Sequence, residues 1–210
     1  MDVNPRKLPR QARAKATVDA IIEATTQVLL EDGYDHFTTA RAAERAGVSV
    51  GSLYQYFPNK AALASAVIDR CCDSFFSAFE AALAGRRRVT LAECVQAIVD
   101  VTLVSHHLTP EMHRIVLDLA PRIGVEEKVG QTSRMATQAI EGVLRKHTDE
   151  IEPDIDLAIA ATMIGTLLEG IAHRAVQSRA EHFENDQLAR EAVRLILGYL
   201  TRRCDPRSAA

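Results

Sequence analysis

The sequence predicts an all-α protein, with a small N-terminal three-helix domain followed by a larger helical domain, about nine helices together. Three observations carry this. Apolar residues recur at helical spacing along most of the chain. β-branched runs with period-two alternation are short, and Asp32-Gly33 follows a helical pattern instead of joining two strands. Glycine and proline fall where such helices need to stop.

The elements follow in order. Ile21, Thr25, Val28 and Leu29 share one face of a first helix that Gly33 ends. Thr38-Thr39 caps a short second helix reaching Ala46, with Gly47 as its stop. A third short helix is ended by Pro58, and a fourth runs from Asn59 to about Gly85. Arg86-Arg87-Arg88 and Thr90 introduce a helix over Leu91–Leu108. Pro110 opens another that stops before Pro121. Three more are expected over Val125–Glu150, Asp154–Arg179 and Asn185–Arg203. No internal repeat or low-complexity stretch interrupts them.

The composition is that of an ordinary globular chain, 47% hydrophobic and 25% charged. No apolar run approaches the roughly 18 residues that span a membrane, and the N-terminus is too polar for a signal peptide. The net charge of −3 conceals an asymmetry. Residues 1–15 carry Arg6, Lys7, Arg10, Arg13 and Lys15 against Asp2, a local balance of +4 that leaves −7 for the remainder. A basic arm on an acidic body is the charge distribution of a chain with one anion-binding end.

The most informative stretch runs from Thr38 to Lys60. Two short helices meet at Ala46-Gly47-Val48-Ser49. Gly47 takes positive φ without a Cβ penalty, and the Ser49 hydroxyl caps the next helix. Val48 and Leu53 have the spacing of a hydrophobic staple. Leu53 and Phe57, four apart, point to a small core, which leaves Val50, Gly51, Ser52, Tyr54, Gln55 and Tyr56 on the outer faces. A turn of three or four residues between two such helices is the helix-turn-helix signature of DNA-binding proteins.

Gly33-Tyr34, Phe37-Thr38-Thr39, Ala46-Gly47-Val48-Ser49, Gly51-Ser52-Leu53-Tyr54, Tyr56-Phe57 and Asn59-Lys60 occur together, in order. This string resembles the N-terminal domain of the tetracycline-repressor (TetR) family of bacterial transcriptional regulators, over roughly residues 15 to 65. One position departs from the family pattern: Ala42 stands where a large aliphatic residue is usual. The resemblance implies phosphate contacts from Thr39, Ser49, Tyr54 and Lys60, with Arg6 and Arg10 of the basic arm adding attraction that falls with salt. It implies base-edge reading by Val50, Gly51, Ser52, Gln55 and Tyr56. Gln55 suits a bidentate pair with adenine, and Val50 a thymine methyl.

The domains expected are 1–60, with the arm at 1–15, then 61–204, then a flexible tail at 205–210. The last two helices carry apolar stripes. Met163, Leu167 and Ile171 on one, with Leu188, Leu195 and Tyr199 on the other, resemble the family's dimer interface. A two-fold dimer suits a two-fold DNA site whose half-sites lie about 34–36 Å apart or more. The middle helices are expected to enclose a pocket for a small-molecule effector. Its candidate lining is Phe75, Phe79, Leu103, His107, Met112, Met135, Glu169 and His173.

Other chemistries fit less well. His106, His107 and His113 lack a completing carboxylate or Cys, so no metal is expected. Cys71, Cys72, Cys94 and Cys204 show no ligand spacing and read as reduced thiols of a cytoplasmic protein. Gly165 and Gly170 lack the Lys and Ser/Thr of a phosphate loop, and no nucleophile elbow is present. The expectation is therefore a regulator without catalytic residues or cofactor. It would be a homodimer on double-stranded operator DNA, a repressor released by a small molecule. The alternatives are a DNA-binding module controlled by a protein partner, and an activator.

Overall fold

A computed structural model describes residues 3, 12–84, 90–104, 110–177 and 185–201. Among them are nine α-helices, one π-helical turn and no strand. The chain forms two compact units. One comprises Met1–Ser74 with Leu108–Gly130, the other Phe75–His107 with Gln131–Ala210. The expected division at 60/61 follows the chain, whereas these units follow packing.

In the first unit, α1 (Ala12–His36) buries Ile21, Thr25, Val28 and Leu29, the face read from the sequence. Thr25 satisfies its hydroxyl by donating to the Ile21 carbonyl at 2.7 Å. Gly33 leaves helical geometry at φ 69°, ψ 169°, a region open to glycine, but a last turn resumes to His36. Helix α2 (Thr39–Arg45) begins at Thr38, whose side chain accepts from the Arg41 N–H. Its Ala42 and Ala43 are fully buried, and Phe37, Leu53 and Phe57 supply the bulk of the small core around them. Helix α3 (Val50–Tyr56) starts at Ser49, and α4 (Lys60–Leu83) at Asn59, whose carboxamide oxygen accepts from the Ala62 N–H at 2.8 Å.

Helix α6 (Pro110–Ile123) adds Met112, Val116, Leu119 and Ala120 to the same core. It does not stop before Pro121. A proline in the last turn removes one donor without ending the helix. The stop comes at Gly124, φ 73°, where Val125 N–H donates to the Ala120 carbonyl and Gly124 N–H to that of Pro121.

In the second unit, α5 (Leu91–Val99) opens with a capping box between Thr90 and Glu93. The expected helix to Leu108 instead widens into a π turn at Asp100–Val104. Thr102 there donates its hydroxyl to the Ile98 carbonyl at 2.8 Å. Residues 105–109 lie outside the described residues. Helix α7 (Glu126–Leu144) begins in the first unit and ends well before Glu150, because the apolar periodicity stops at Leu144 and tight turns follow. Helix α8 (Leu157–Gln177) starts at Asp156, whose carboxylate accepts from the Ala158 and Ile159 N–H groups. Helix α9 (Asn185–Thr201) completes a core of Phe79, Leu91, Val99, Ile140, Leu144, Ala160, Ile196 and Leu200. Gly165 is needed for packing: a Cβ there would stand 3.0 Å from the Thr137 hydroxyl.

Gly47 and Gly142 give a paired test. Gly47 has φ +66° and Gly142 is helical, yet neither would bring a Cβ within 4 Å of anything. Gly47→Ala should cost about 1–2 kcal/mol by backbone strain alone, whereas Gly142→Ala should stabilise by about 0.5–1 kcal/mol. Urea midpoints of the two variants should therefore move in opposite directions.

Candidate nucleic-acid interface

The site is built on the reversal between α2 and α3. Gly47, in the left-handed region, lets the Val48 N–H donate to the Ala43 carbonyl at 3.0 Å and the Gly47 N–H to that of Glu44 at 3.1 Å. This paired closure satisfies carbonyls that a helix end leaves open. Ser49 then accepts from the Ser52 N–H at 3.1 Å, and its hydroxyl lies 2.8 Å from that of Ser52. Leu53 and Phe57 are fully buried beneath. A helix of seven residues has little stability of its own, so this anchoring decides where α3 points.

The outer face of α3 is open. Val50 is 41% exposed and Tyr54 39%, large values for residues that bury well elsewhere. Gly51 and Gln55 are exposed, and Ser52 is half-buried. Tyr56 is also half-buried and packs against the first core. The hydroxyls of Thr39 and Tyr54 lie 3.1 Å apart and share a hydrogen bond, which joins two sequence-predicted residues from different helices. Ser49 is exposed at the N-terminal end of α3. Arg13 and Lys15 are exposed at the start of α1, whereas Arg6 and Arg10 lie outside the described residues.

Lys60 has a setting that the sequence did not suggest. Its ammonium sits 4.3 Å from the Tyr34 ring centroid and 5.9 Å from that of Phe37, and it donates to the Asp35 carbonyl at 3.4 Å. Arg122 of α6 approaches the same ring at 5.4 Å and pairs with the Asp35 carboxylate at 2.6 Å. The Arg122 hydrogen bond holds the Asp35 carboxyl below its ordinary value, and Asp35 in turn raises the Arg122 guanidinium. Partial burial pushes the Tyr34 phenol up. Asp35 and Arg122 are 87 residues apart, and nothing local in the sequence links them. Helix α2 is tied to α1 by two further ion pairs, Arg41–Asp32 at 2.5 Å and Arg45–Glu31 at 2.6 Å. The hydrogen bond from Arg45 lowers the Glu31 carboxyl.

The other candidate residues are dispersed. Phe75 and Phe79 stack obliquely with centroids 6.0 Å apart, and Phe79 is buried in the second core with Leu103 packed beside it. Met112 lies in the first core instead. Met135, Glu169 and His173 are exposed, and His107 is outside the described residues. On α8 and α9, Met163, Leu195 and Tyr199 are exposed, while Leu167, Ile171 and Leu188 are half-buried. The tail at 205–210 lies outside the described residues. No helix is long and apolar enough to cross a membrane, and no cluster of metal-ligating side chains is found, both among the described residues.

Two family models match the chain. Bacterial regulatory proteins of the tetR family match residues 21–67, and the tetracyclin repressor-like C-terminal domain matches residues 90–200. The chain belongs to the TetR family. It is a DNA-binding transcriptional regulator of that family. Among curated proteins it is similar to the nucleoid occlusion factor SlmA of Actinobacillus pleuropneumoniae, 32% identical over 111 residues. That match covers 52% of this chain, which spans about half of the relative's length, 54%. Among solved structures it is similar to SmeT, the repressor of the Stenotrophomonas maltophilia multidrug efflux pump SmeDEF. The TM-score is 0.70 at 21% identity, covering 91% of this chain and 93% of that one. It is also similar to FadR of Bacillus subtilis in complex with stearoyl-CoA, with TM-score 0.67 at 20% identity over 87% and 98% of the two chains. At these identities the structures show the shared TetR fold alone.

The Arg122–Asp35 pair predicts a pH response of this TetR-type head. Asp35 is held below its ordinary value, so its contribution is fully present above the unfolded aspartate range and is lost as pH falls through the lower, folded value. The melting temperatures of wild type and Asp35→Asn should differ at pH 7 and converge as pH falls below the ordinary aspartate range. A gap that widens on acidification would contradict the assignment.

Proposed function

We propose that this chain is a homodimeric repressor that binds a near-palindromic operator and leaves it when a small, partly hydrophobic ligand binds. The observation that carries the reading is the open face of α3 above a locked inner face. In this reading Thr39, Ser49, Tyr54 and Lys60, with Arg6 and Arg10, hold phosphates. Val50, Gly51, Ser52, Gln55 and Tyr56 read base edges in the major groove. The protein acts in the cytoplasm and performs no reaction of its own.

Dimerisation is supported by the exposed apolar surface of α8 and α9. Ile159 is 58% exposed, Met163 54% and Leu195 58%, and a stripe of this kind needs cover. Gly170, with open space where a Cβ would stand, lies on the same helix α8. Helices α8 and α9 from two subunits would form an isologous contact flanked by Leu167, Ile171, Leu188 and Tyr199. In this reading the effector is held in the second unit, where Phe75 and Leu103 pack against buried Phe79. The ligand acts through its different affinity for two states of the protein. Similarity to SmeT and to FadR with stearoyl-CoA supports a ligand-controlled repressor.

A second reading is a DNA-binding module controlled by a protein partner, without a small-molecule effector. It is supported by the dispersal of the candidate pocket residues, with Met112 in the first core and Met135, Glu169 and His173 exposed.

Fluorescence anisotropy with DNA from upstream of the gene tests the DNA reading. Wild type should prefer that DNA to a scrambled duplex, with affinity falling steeply between about 50 and 200 mM salt. Tyr54→Ala with Lys60→Ala should abolish the preference, and equal binding to both duplexes by wild type would sink the reading. Release by a small molecule in the same assay favours the first reading over the second. Met163→Glu with Leu195→Glu should yield a helical monomer in sedimentation with weakened operator binding, and an unchanged dimer mass would refute the assigned interface.

A further inference from the structure

Outside the nucleic-acid interface, the second unit brings three side chains of complementary chemistry into a row. Cys94, in the first turns of α5, has its Sγ 3.6 Å from His147 Nε2. His147 follows the end of α7, and its Nδ1 lies 2.9 Å from Glu150 Oε1. The same Glu150 oxygen accepts the Leu91 N–H at 2.9 Å, which fixes the carboxylate against the start of α5. The order sulfur, imidazole, carboxylate spans two elements, and Cys94 and His147 are 53 residues apart.

The hydrogen-bond partners determine the tautomer. A carboxylate only accepts, so Nδ1 of His147 carries the proton and donates it to Glu150. Nε2 of the neutral ring is then the acceptor, and the Cys94 thiol directs its proton there. Thiol and carboxylate lie on opposite edges of the ring, so they do not converge on one point as metal ligands would. The row instead has the order nucleophile, base, orienting group, which is the arrangement that activates a thiol. The other described cysteines differ. Burial pushes the Cys71 thiol up to about 12, and Cys72 lies beside it on α4. Cys94 is itself largely buried at 6% exposure, but His147 and Glu150 continue the row outward, with side chains 15% and 38% exposed. With Cys94 this buried, the row suits a small reagent.

We propose that Cys94, His147 and Glu150 form a thiol-addition site for small α,β-unsaturated carbonyl compounds. The Cys94 sulfur forms a bond to the β-carbon while its proton passes to His147 Nε2. The carbon–carbon π electrons move onto the carbonyl oxygen. The resulting enolate takes a proton back at its α-carbon from the imidazolium. The net change is addition of S–H across the double bond, with no leaving group and no oxidant. Cys94 is the residue that touches the ligand, and Glu150 positions the base.

The test uses N-ethylmaleimide on the full-length protein, with intact mass and peptide mapping to follow each cysteine separately. Cys94 should be alkylated in the folded wild type, faster than Cys71. In His147→Gln the Cys94 rate should fall about tenfold or more, the scale of lost general-base assistance, while the Cys72 rate holds. Glu150→Gln should give a smaller fall. A purely structural role predicts the opposite sign, because loosening the row exposes Cys94 and speeds its alkylation. A faster or unchanged Cys94 rate in His147→Gln would overturn the proposal. So would a wild type in which Cys94 reacts only after unfolding in urea.

Discussion

The first unit depends on the reversal at Ala46-Gly47-Val48-Ser49. Helix α3 has seven residues and cannot persist alone in water. Its direction comes from three constraints acting together. Gly47 accepts the left-handed backbone, Ser49 satisfies the Ser52 N–H in the first turn of α3, and Leu53 and Phe57 sink into a core shared with α1, α2 and α4. Each fixes a different degree of freedom: the chain reversal, the helix start and the buried face. The exposed outer face is then a consequence: of the seven positions Leu53 is buried and Ser52 and Tyr56 are half-buried, which leaves Val50, Gly51, Tyr54 and Gln55 outward.

A second layer of interactions surrounds this reversal and is mostly electrostatic. Arg41–Asp32 and Arg45–Glu31 hold α2 to α1. Arg122 of α6 reaches Asp35 and Tyr34, and Tyr34 also carries Lys60 on its face. Exposed pairs of this kind are each worth little, because solvent screens them. Their interest is positional. Lys60 is proposed to hold a DNA phosphate, and its ammonium rests over an aromatic ring that Arg122 of α6 also approaches. Nearby, Lys128 of α7 donates to Ser65 and Asp69 of α4 at 2.9 and 2.7 Å, so the helix that begins with Lys60 is held at a second point.

What the sequence made legible follows the range of the interactions involved. The buried face of α1, the caps at Thr38, Ser49 and Thr90, and the turn at Gly47 are local, and residue type with spacing specifies them. The resemblance read from Thr38 to Lys60 is local in the same sense. Helix ends failed where one residue was given too much weight. Pro121 is tolerated in a last turn, and Gly124 makes the stop. The π turn at Asp100–Val104 leaves no mark in the apolar periodicity, which continues through it. The Arg122–Asp35 pair and the Cys94–His147–Glu150 row were illegible because each joins segments 50 or more residues apart. Pocket candidates chosen by residue type were dispersed for the same reason: Met112 and Phe79 are both apolar, but they belong to different cores.

In the proposed function the reversal presents the outer face of α3 to the edges of DNA bases. Selection of bound duplexes from a random-sequence library, run in parallel with wild type and Gln55→Ala, tests it most directly. The account predicts that wild type enriches a two-fold symmetric sequence. It predicts that Gln55→Ala loses preference at one position in each half-site and keeps the rest. Enrichment that is absent in wild type, or a variant whose preferences match wild type at every position, would contradict it.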